Sequence, residues 1–218
     1  MEHINITGNE VQLFPVRLRE YRHPDPEELH SKLLDAFVDY PSMQSNFPEG
    51  VITSRPDLHN FQNEHVQRLI AFFADALAEY RNHFKLYCDN LDIPICWFNH
   101  APAGTGFGHP LHRHPMSYLS AVYYLTEGAP TSDTLDVFQH DLMDKPEGIN
   151  ERVDAEPGKL ILFPSWLKHY SGRQLENFDR WTISFNAFPV GRINVGPWDI
   201  PQLNIRLLNP TDPGMIPQ

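Results

Sequence analysis

At 218 residues, 41% hydrophobic and 21% charged, the chain is long enough for one well-buried domain and short for two. A formal charge of −11 argues against nucleic acid as the main partner, because phosphate binding needs a basic surface. No long uncharged apolar run predicts a membrane span, the first residues lack a signal peptide's basic start and apolar core, and two cysteines make no disulfide framework. A cytoplasmic protein with Cys88 and Cys96 reduced is expected.

Residues 10–22 read as a short strand, with Val11, Leu13 and Val16 as candidates for burial. HPDPEELHSKLLDAFVDY then carries the signals of a helix. Asp25 stands at the cap, Pro26 at the first helical position, and Glu27 and Glu28 at the positive end of the dipole. Leu29, Leu33, Leu34, Phe37 and Val38 form its apolar stripe, and Pro41 ends it. Residues 50–60 read as a loop with at most a short extended piece. A second helix is predicted over about 61–84, where Val66, Leu69, Ile70, Phe73, Leu77, Tyr80 and Phe84 recur at helical spacing.

From Leu91 the pattern changes to short β-rich runs at 93–99, 117–125, 134–139, 159–163 and 181–188. Two helices followed by strands predict an all-β core with helices (α+β), the helices packed on an antiparallel sandwich or barrel. The expected organisation is one domain over 1–218, with a helical part at about 24–85, a β core at about 91–190 and an extended tail at about 191–218. The tail is rich in proline and has the reach to meet a second copy in a homodimer.

The most informative stretch is GFGHPLHRHPMSYLSAVYYL, residues 106–125. In extended backbone, residues two apart share a face, so His112 and His114 can aim their imidazoles at one point. Gly104, Gly106 and Gly108 loosen the chain ahead of the pair, and Pro115 suits a strand end. His169, at the end of LILFPSWLKH, offers a third imidazole. Three neutral nitrogen donors suit iron, zinc, copper or nickel and leave positions open for chemistry.

In RWTISFN, Arg180, Thr182 and Ser184 fall on one face of a strand, and Trp181, Ile183 and Phe185 on the other. An inward arginine is costly unless it meets an anion, and a guanidinium with a hydroxyl two residues on makes a good carboxylate receptor. The alternative is an Arg180 at the strand's exposed start or paired with an internal acid. Trp97, Tyr118, Tyr123 and Trp166 are either cavity walls or plain core.

HRHPMSYLSAVYYL, PGKLILFPSWLKH and RWTISFN resemble the small bacterial and phage proteins grouped as Fe(II)- and 2-oxoglutarate-dependent oxygenases. The opening VQLFPV followed by a helix is also similar to how those proteins begin. The resemblance implies a double-stranded β-helix (jelly roll) with helices on one side. It implies Fe(II) held by His112, His114 and His169, and 2-oxoglutarate chelating the iron with its far carboxylate on Arg180, assisted by Thr182 or Ser184. Asn99 and Asn186 are expected to add polar contacts. The implied reaction is oxidation, such as hydroxylation, of a small molecule by O2, with release of succinate and CO2.

One departure is evident, since the wider superfamily places a carboxylate where this chain has His114. Asp133 and Asp136 are the nearest downstream carboxylates, and His109 is a further imidazole. The same stretches also resemble cupin motifs, which implies a rival: a three-histidine dioxygenase or isomerase without 2-oxoglutarate. A non-enzymatic jelly-roll binding protein is the second rival. Arg180 with its hydroxyl neighbours favours the oxygenase. Asp133, Asp136, Asp141 and Asp144 either attract a cationic amine, such as an amino-acid derivative, or form a solvated acidic loop.

Overall fold

A computed structural model of the chain describes residues 16–43, 50–126, 136–140, 149–173, 177–197 and 201–207. In chain order they form β1 (Arg19–Arg22), α1 (Pro26–Phe37), β2 (Ser42–Met43), β3 (Ile52–Ser54), a short 3-10 turn (Leu58–Asn60), α2 (Glu64–His83), and β4 (Cys88–Ala101). Then follow β5 (Leu119–Tyr124), β6 (Asp136–His140), β7 (Ile149–Val153), β8 (Lys159–Pro164), β9 (Lys168–Ser171), β10 (Arg180–Ile193) and β11 (Leu203–Ile205).

The strands build two sheets. The larger runs β1-β8-β5-β10-β4-β3-β2, with β11 added on β10, and the smaller runs β7-β6-β9. Every ladder within them is antiparallel. This is the helices-on-a-β-core arrangement that the chain's pattern predicts.

Alternation along the central strands divides the interior. Leu160 and Leu162 of β8, Leu119, Ala121 and Tyr123 of β5, and Ile183, Phe185 and Ala187 of β10 face the two helices. Ile161 and Phe163 of β8 and Tyr124 of β5 face the other way, into a second cluster with Ala155 and Leu167. The larger sheet is therefore covered by helices on one face, and its opposite face turns toward the site.

α2 meets the sheet with Val66, Leu69, Phe73, Ala76, Leu77 and Tyr80, the face its periodicity predicts. It is shorter than the predicted 61–84. Asn63 caps it, accepting the His65 and Val66 N–H groups at 3.0 and 3.3 Å, so Phe61 stays in extended backbone ahead of the first turn.

α1 begins at Pro26 with Asp25 at the cap position, but the Asp25 side chain makes no capping bond. Of the predicted stripe, Leu29, Leu33, Leu34 and Phe37 meet the core, Leu34 only in part, and Val38 does not. Leu29, His30, Leu33 and Phe37 are buried, while Val38 is 81% exposed. The helix contacts the sheet along Leu29, Leu33 and Phe37, and Val38, beyond its last turn, points away.

The β-rich half also departs from its expected boundaries. β4 runs to 14 residues where seven were expected, because Leu91 and Cys88 continue into the core along the end of β10. β2, β3, β7, β9 and β11 are short or polar enough to have escaped the sequence pattern. Of the predicted early strand, Arg19–Arg22 pairs with β8, Val16 is half-buried, and Val11 and Leu13 lie outside the described residues. No helix among the described residues is long and apolar enough to cross a membrane.

Candidate functional site

The site lies between the two sheets. His109 to His112 runs alongside β9 as an irregular edge. His112 and His169 exchange backbone hydrogen bonds at 2.9 Å in both directions. Ser171 Oγ accepts the His109 N–H at 2.8 Å. Gly108 is required here, because a Cβ at that position would lie 2.5 Å from the Ser171 carbonyl oxygen. Of the three glycines ahead of the pair, Gly108 serves a close approach, Gly104 (φ 66°) and Gly106 (φ 64°) take left-handed backbone in open space, and Met116 (φ 70°) turns the chain back after Pro115.

His112, His114 and His169 each offer one ring nitrogen, all within 4.8 Å of one another. The ring centroids of His112 and His169 are 4.3 Å apart, and those of His112 and His114 are 5.0 Å apart. Two of the rings are oriented from behind. His112 Nδ1 is 2.7 Å from the Pro110 carbonyl oxygen and His169 Nδ1 is 3.0 Å from that of Leu167. A carbonyl only accepts, so Nδ1 carries the proton in both and the Nε2 lone pair is left for a ligand bond.

Burial holds the His114 imidazole down at about 4, with His112 adding to it. Burial likewise pushes His169 down to about 3, against the opposing bond to Leu167. Both rings are thus neutral at pH 7, the form that binds metal. Nitrogen donors, neutral rings and fixed tautomers fit a divalent transition-metal ion such as Fe(II). Among the described residues no carboxylate joins the cluster. Asp133, Asp141 and Asp144 lie outside those residues, and Asp136 sits on β6 opposite Ser171.

A cavity opens over the cluster, lined in part by Trp97, Asn99, His109, Tyr124, Arg180, Thr182 and Ser184. The predicted face of β10 is therefore turned into it. Arg180 is 6% exposed, which removes the exposed-start alternative. Its guanidinium donates to the Gly172 carbonyl at 2.8 Å and to Ser171 Oγ at 3.2 Å. The register sets Thr182 opposite both Tyr124 and Asn99, giving a polar row across three strands. Thr53 Oγ donates to Asn99 Oδ1 at 3.1 Å, which turns the amide NH2 of Asn99 away from that bond.

Other expected positions fall elsewhere. Asn186 does not line the cavity; its amide oxygen accepts from Ser120 Oγ at 2.8 Å in a fully buried setting. Of the four candidate aromatics, Trp97 lines the cavity, with its ring 6.0 Å from that of His114. Tyr118 and Trp166 are 43% and 55% exposed, and Tyr123 faces the helices and bonds His30 at 2.8 Å. Ser171 and Tyr124 were missed. Ser171 lies two residues from His169, so period-two alternation held its signal, and Tyr124 lies in the predicted 117–125 strand, next to Tyr123 but on its opposite face.

The family model described as "Putative 2OG-Fe(II) oxygenase" matches residues 95–186, a span from β4 through His112, His114, His169 and Arg180. No curated protein matches the chain. Among solved structures, a Pseudomonas putida prolyl-4-hydroxylase is similar at TM-score 0.59 and 18% identity, covering 81% of this chain and 94% of that one. The α-ketoglutarate-dependent epimerase SnoN of nogalamycin biosynthesis is similar at TM-score 0.64 and 10% identity, covering 81% and 77%. HygX from Streptomyces hygroscopicus, with nickel and 2-oxoglutarate bound, is similar at TM-score 0.57 and 14% identity, covering 80% and 83%. Likenesses at these identities establish the double-stranded β-helix fold, and the family match carries the chemistry. Residues 95–186 match the 2OG-Fe(II) oxygenases, non-haem iron enzymes that use 2-oxoglutarate and O2.

Proposed function

We propose that His112, His114 and His169 are the three protein ligands of Fe(II), and that Arg180 receives the far carboxylate of 2-oxoglutarate. The observation that carries this reading is the shared cavity, with the imidazole cluster and the buried guanidinium in its wall. Thr182 and Ser184 follow Arg180 on the same face and assist that carboxylate. Asn99, held by Thr53, offers its NH2 to an oxygen of the bound acid.

When bound, iron and 2-oxoglutarate supply oxygen activation, with succinate and CO2 as co-products. The chain's own residues do the rest. Pro110 and Leu167 hold the ring protons of His112 and His169 at Nδ1. Phe163, Val122 and Trp97 keep the cavity walls apolar and exclude water. Arg180 keeps its charge in a buried setting because two acceptors already orient it.

The substrate is a small molecule, such as an amino-acid derivative, that is hydroxylated or otherwise oxidised. The chain acts as one domain, which the common core of the two helices and the larger sheet supports. A cytoplasmic location and a homodimer complete the reading. The test is anaerobic titration of the Fe(II)-loaded protein with 2-oxoglutarate. A visible charge-transfer band, followed in air by succinate formation, supports the assignment. Iron binding without any response to 2-oxoglutarate favours the three-histidine cupin chemistry instead.

A further inference from the structure

Behind the imidazole cluster lies a buried polar chain that the proposed chemistry leaves unused. Ser120 on β5, Asn186 on β10 and Ser165 on the turn after β8 are 1%, 3% and 0% exposed. Ser120 Oγ lies 3.0 Å from Ser165 Oγ and 2.8 Å from Asn186 Oδ1. A hydroxyl carries one proton and an amide oxygen only accepts. Ser120 therefore donates to Asn186 and accepts from Ser165, and the two hydroxyls point the same way, from the turn to the central strand.

Burying three polar side chains in an apolar sheet is costly unless each is satisfied, and here each is satisfied by the next. What the chain fixes is the turn at 164–167. The Ser165 carbonyl accepts the His114 N–H at 3.0 Å, and the Ser165 N–H donates to the Tyr118 carbonyl at 3.3 Å. The Leu167 N–H closes the turn on the Pro164 carbonyl at 2.9 Å. The Leu167 carbonyl in turn takes the His169 Nδ1 proton. One turn thus holds His114 by its backbone and His169 by its ring.

Resting on the reading that these imidazoles bind iron, we infer that Ser165, Ser120 and Asn186 are positioning residues for the metal. They fix the turn so that His114 and His169 reach the same ion. None of the three lines the cavity, so their effect passes through the turn and not through substrate contact.

The test is titration of the metal-free protein with Co(II), read by the d–d absorption bands, together with the melting temperature of the metal-free form. Wild type, Ser165→Ala, Ser120→Ala and the double variant are compared. Leu69→Ala, a buried change on the helix side, serves as the control for lost stability alone.

Each single hydroxyl variant is expected to weaken Co(II) binding about 10-fold and to alter the band pattern, the scale of a lost outer-sphere support. The double variant should bind no worse than the weaker single, because one chain is broken either way. Leu69→Ala should melt lower and bind Co(II) like wild type. If an alanine variant does not fold, Ser→Cys at that position keeps the volume with a much weaker donor and carries the same expectation. Unchanged Co(II) affinity and bands in the single variants, or losses that multiply in the double variant, overturn the inference. A wild-type protein that binds no Co(II) would instead overturn the three-imidazole assignment itself.

Discussion

The backbone of His112 is hydrogen-bonded to that of His169 in both directions, at 2.9 Å each way, although 56 residues separate them in sequence. This pair closes the site. It brings a loop from one sheet edge against β9 and sets two rings 4.3 Å apart before any ion arrives. Preorganisation of this kind reduces the ordering that metal binding must cost.

His112→Ala and His169→Ala should therefore each lower Fe(II) or Co(II) affinity by more than about 100-fold, beyond the range of an outer-sphere change. Bound metal measured by elemental analysis after gel filtration should fall from one equivalent to near none. The backbone pair survives both substitutions, so the melting temperature of the metal-free protein should change little. A variant that keeps a full equivalent of metal would remove that histidine from the ligand set.

Arg180 separates cosubstrate binding from metal binding. Arg180→Ala should abolish 2-oxoglutarate turnover or raise the KM for 2-oxoglutarate by about 100-fold, the scale of a lost charge-assisted bidentate pair. Metal content should stay as in wild type. Arg180→Lys should restore little, because the guanidinium divides its donors between Gly172 and Ser171 and an ammonium cannot keep that plane. Equal succinate formation by wild type and Arg180→Ala would sink the cosubstrate role.

How far these features could be read from sequence depends on how local their causes are. The His112–His114 spacing, the face shared by Arg180, Thr182 and Ser184, and the α2 stripe all follow from period 2 or 3.6 within one element. The His109–Ser171 and His112–His169 contacts join segments about 60 residues apart, and no periodicity encodes such a pairing. Asn186 illustrates the limit. Its face was predictable, but the hydroxyl of Ser120 opposite it in the ladder, which takes its amide oxygen, follows from strand order. β7 and β9 were unreadable for a related reason. They belong to a three-stranded sheet and run to only five and four residues, and all four of β9 are half-buried, so no two-faced alternation marks that strand.

The apolar stripe of α1 gives a stability test. Phe37 is 3% exposed, stacks on Phe98 with centroids 4.4 Å apart, and lies 6.3 Å from Trp181. Phe37→Ala should cost about 3–4 kcal/mol in urea denaturation, the range for a truncated core aromatic. Val38→Ser, one residue on but 81% exposed, should stay within about 0.5 kcal/mol of wild type. Similar losses in both variants would mean that Val38 also packs against the core.

His30 completes the argument, because it is the polar member of that buried stripe. Its Nε2 lies 2.8 Å from the Tyr123 hydroxyl, and burial holds its ring at about 4, with nearby His23 lowering it further. The unfolded chain binds a proton near pH 6.5 and the folded chain does not until about pH 4. The contribution of His30 is therefore fully present above about pH 6.5 and is lost as pH falls toward 4, to a total of roughly 3 kcal/mol. His30→Gln cannot titrate and should lose correspondingly less stability between pH 7 and pH 4.5 in parallel urea titrations. Other buried histidines titrate in both proteins, so the difference between the two pH slopes isolates His30. Identical slopes would show that the ring is solvated in the folded state and that its burial against Tyr123 does not hold in solution.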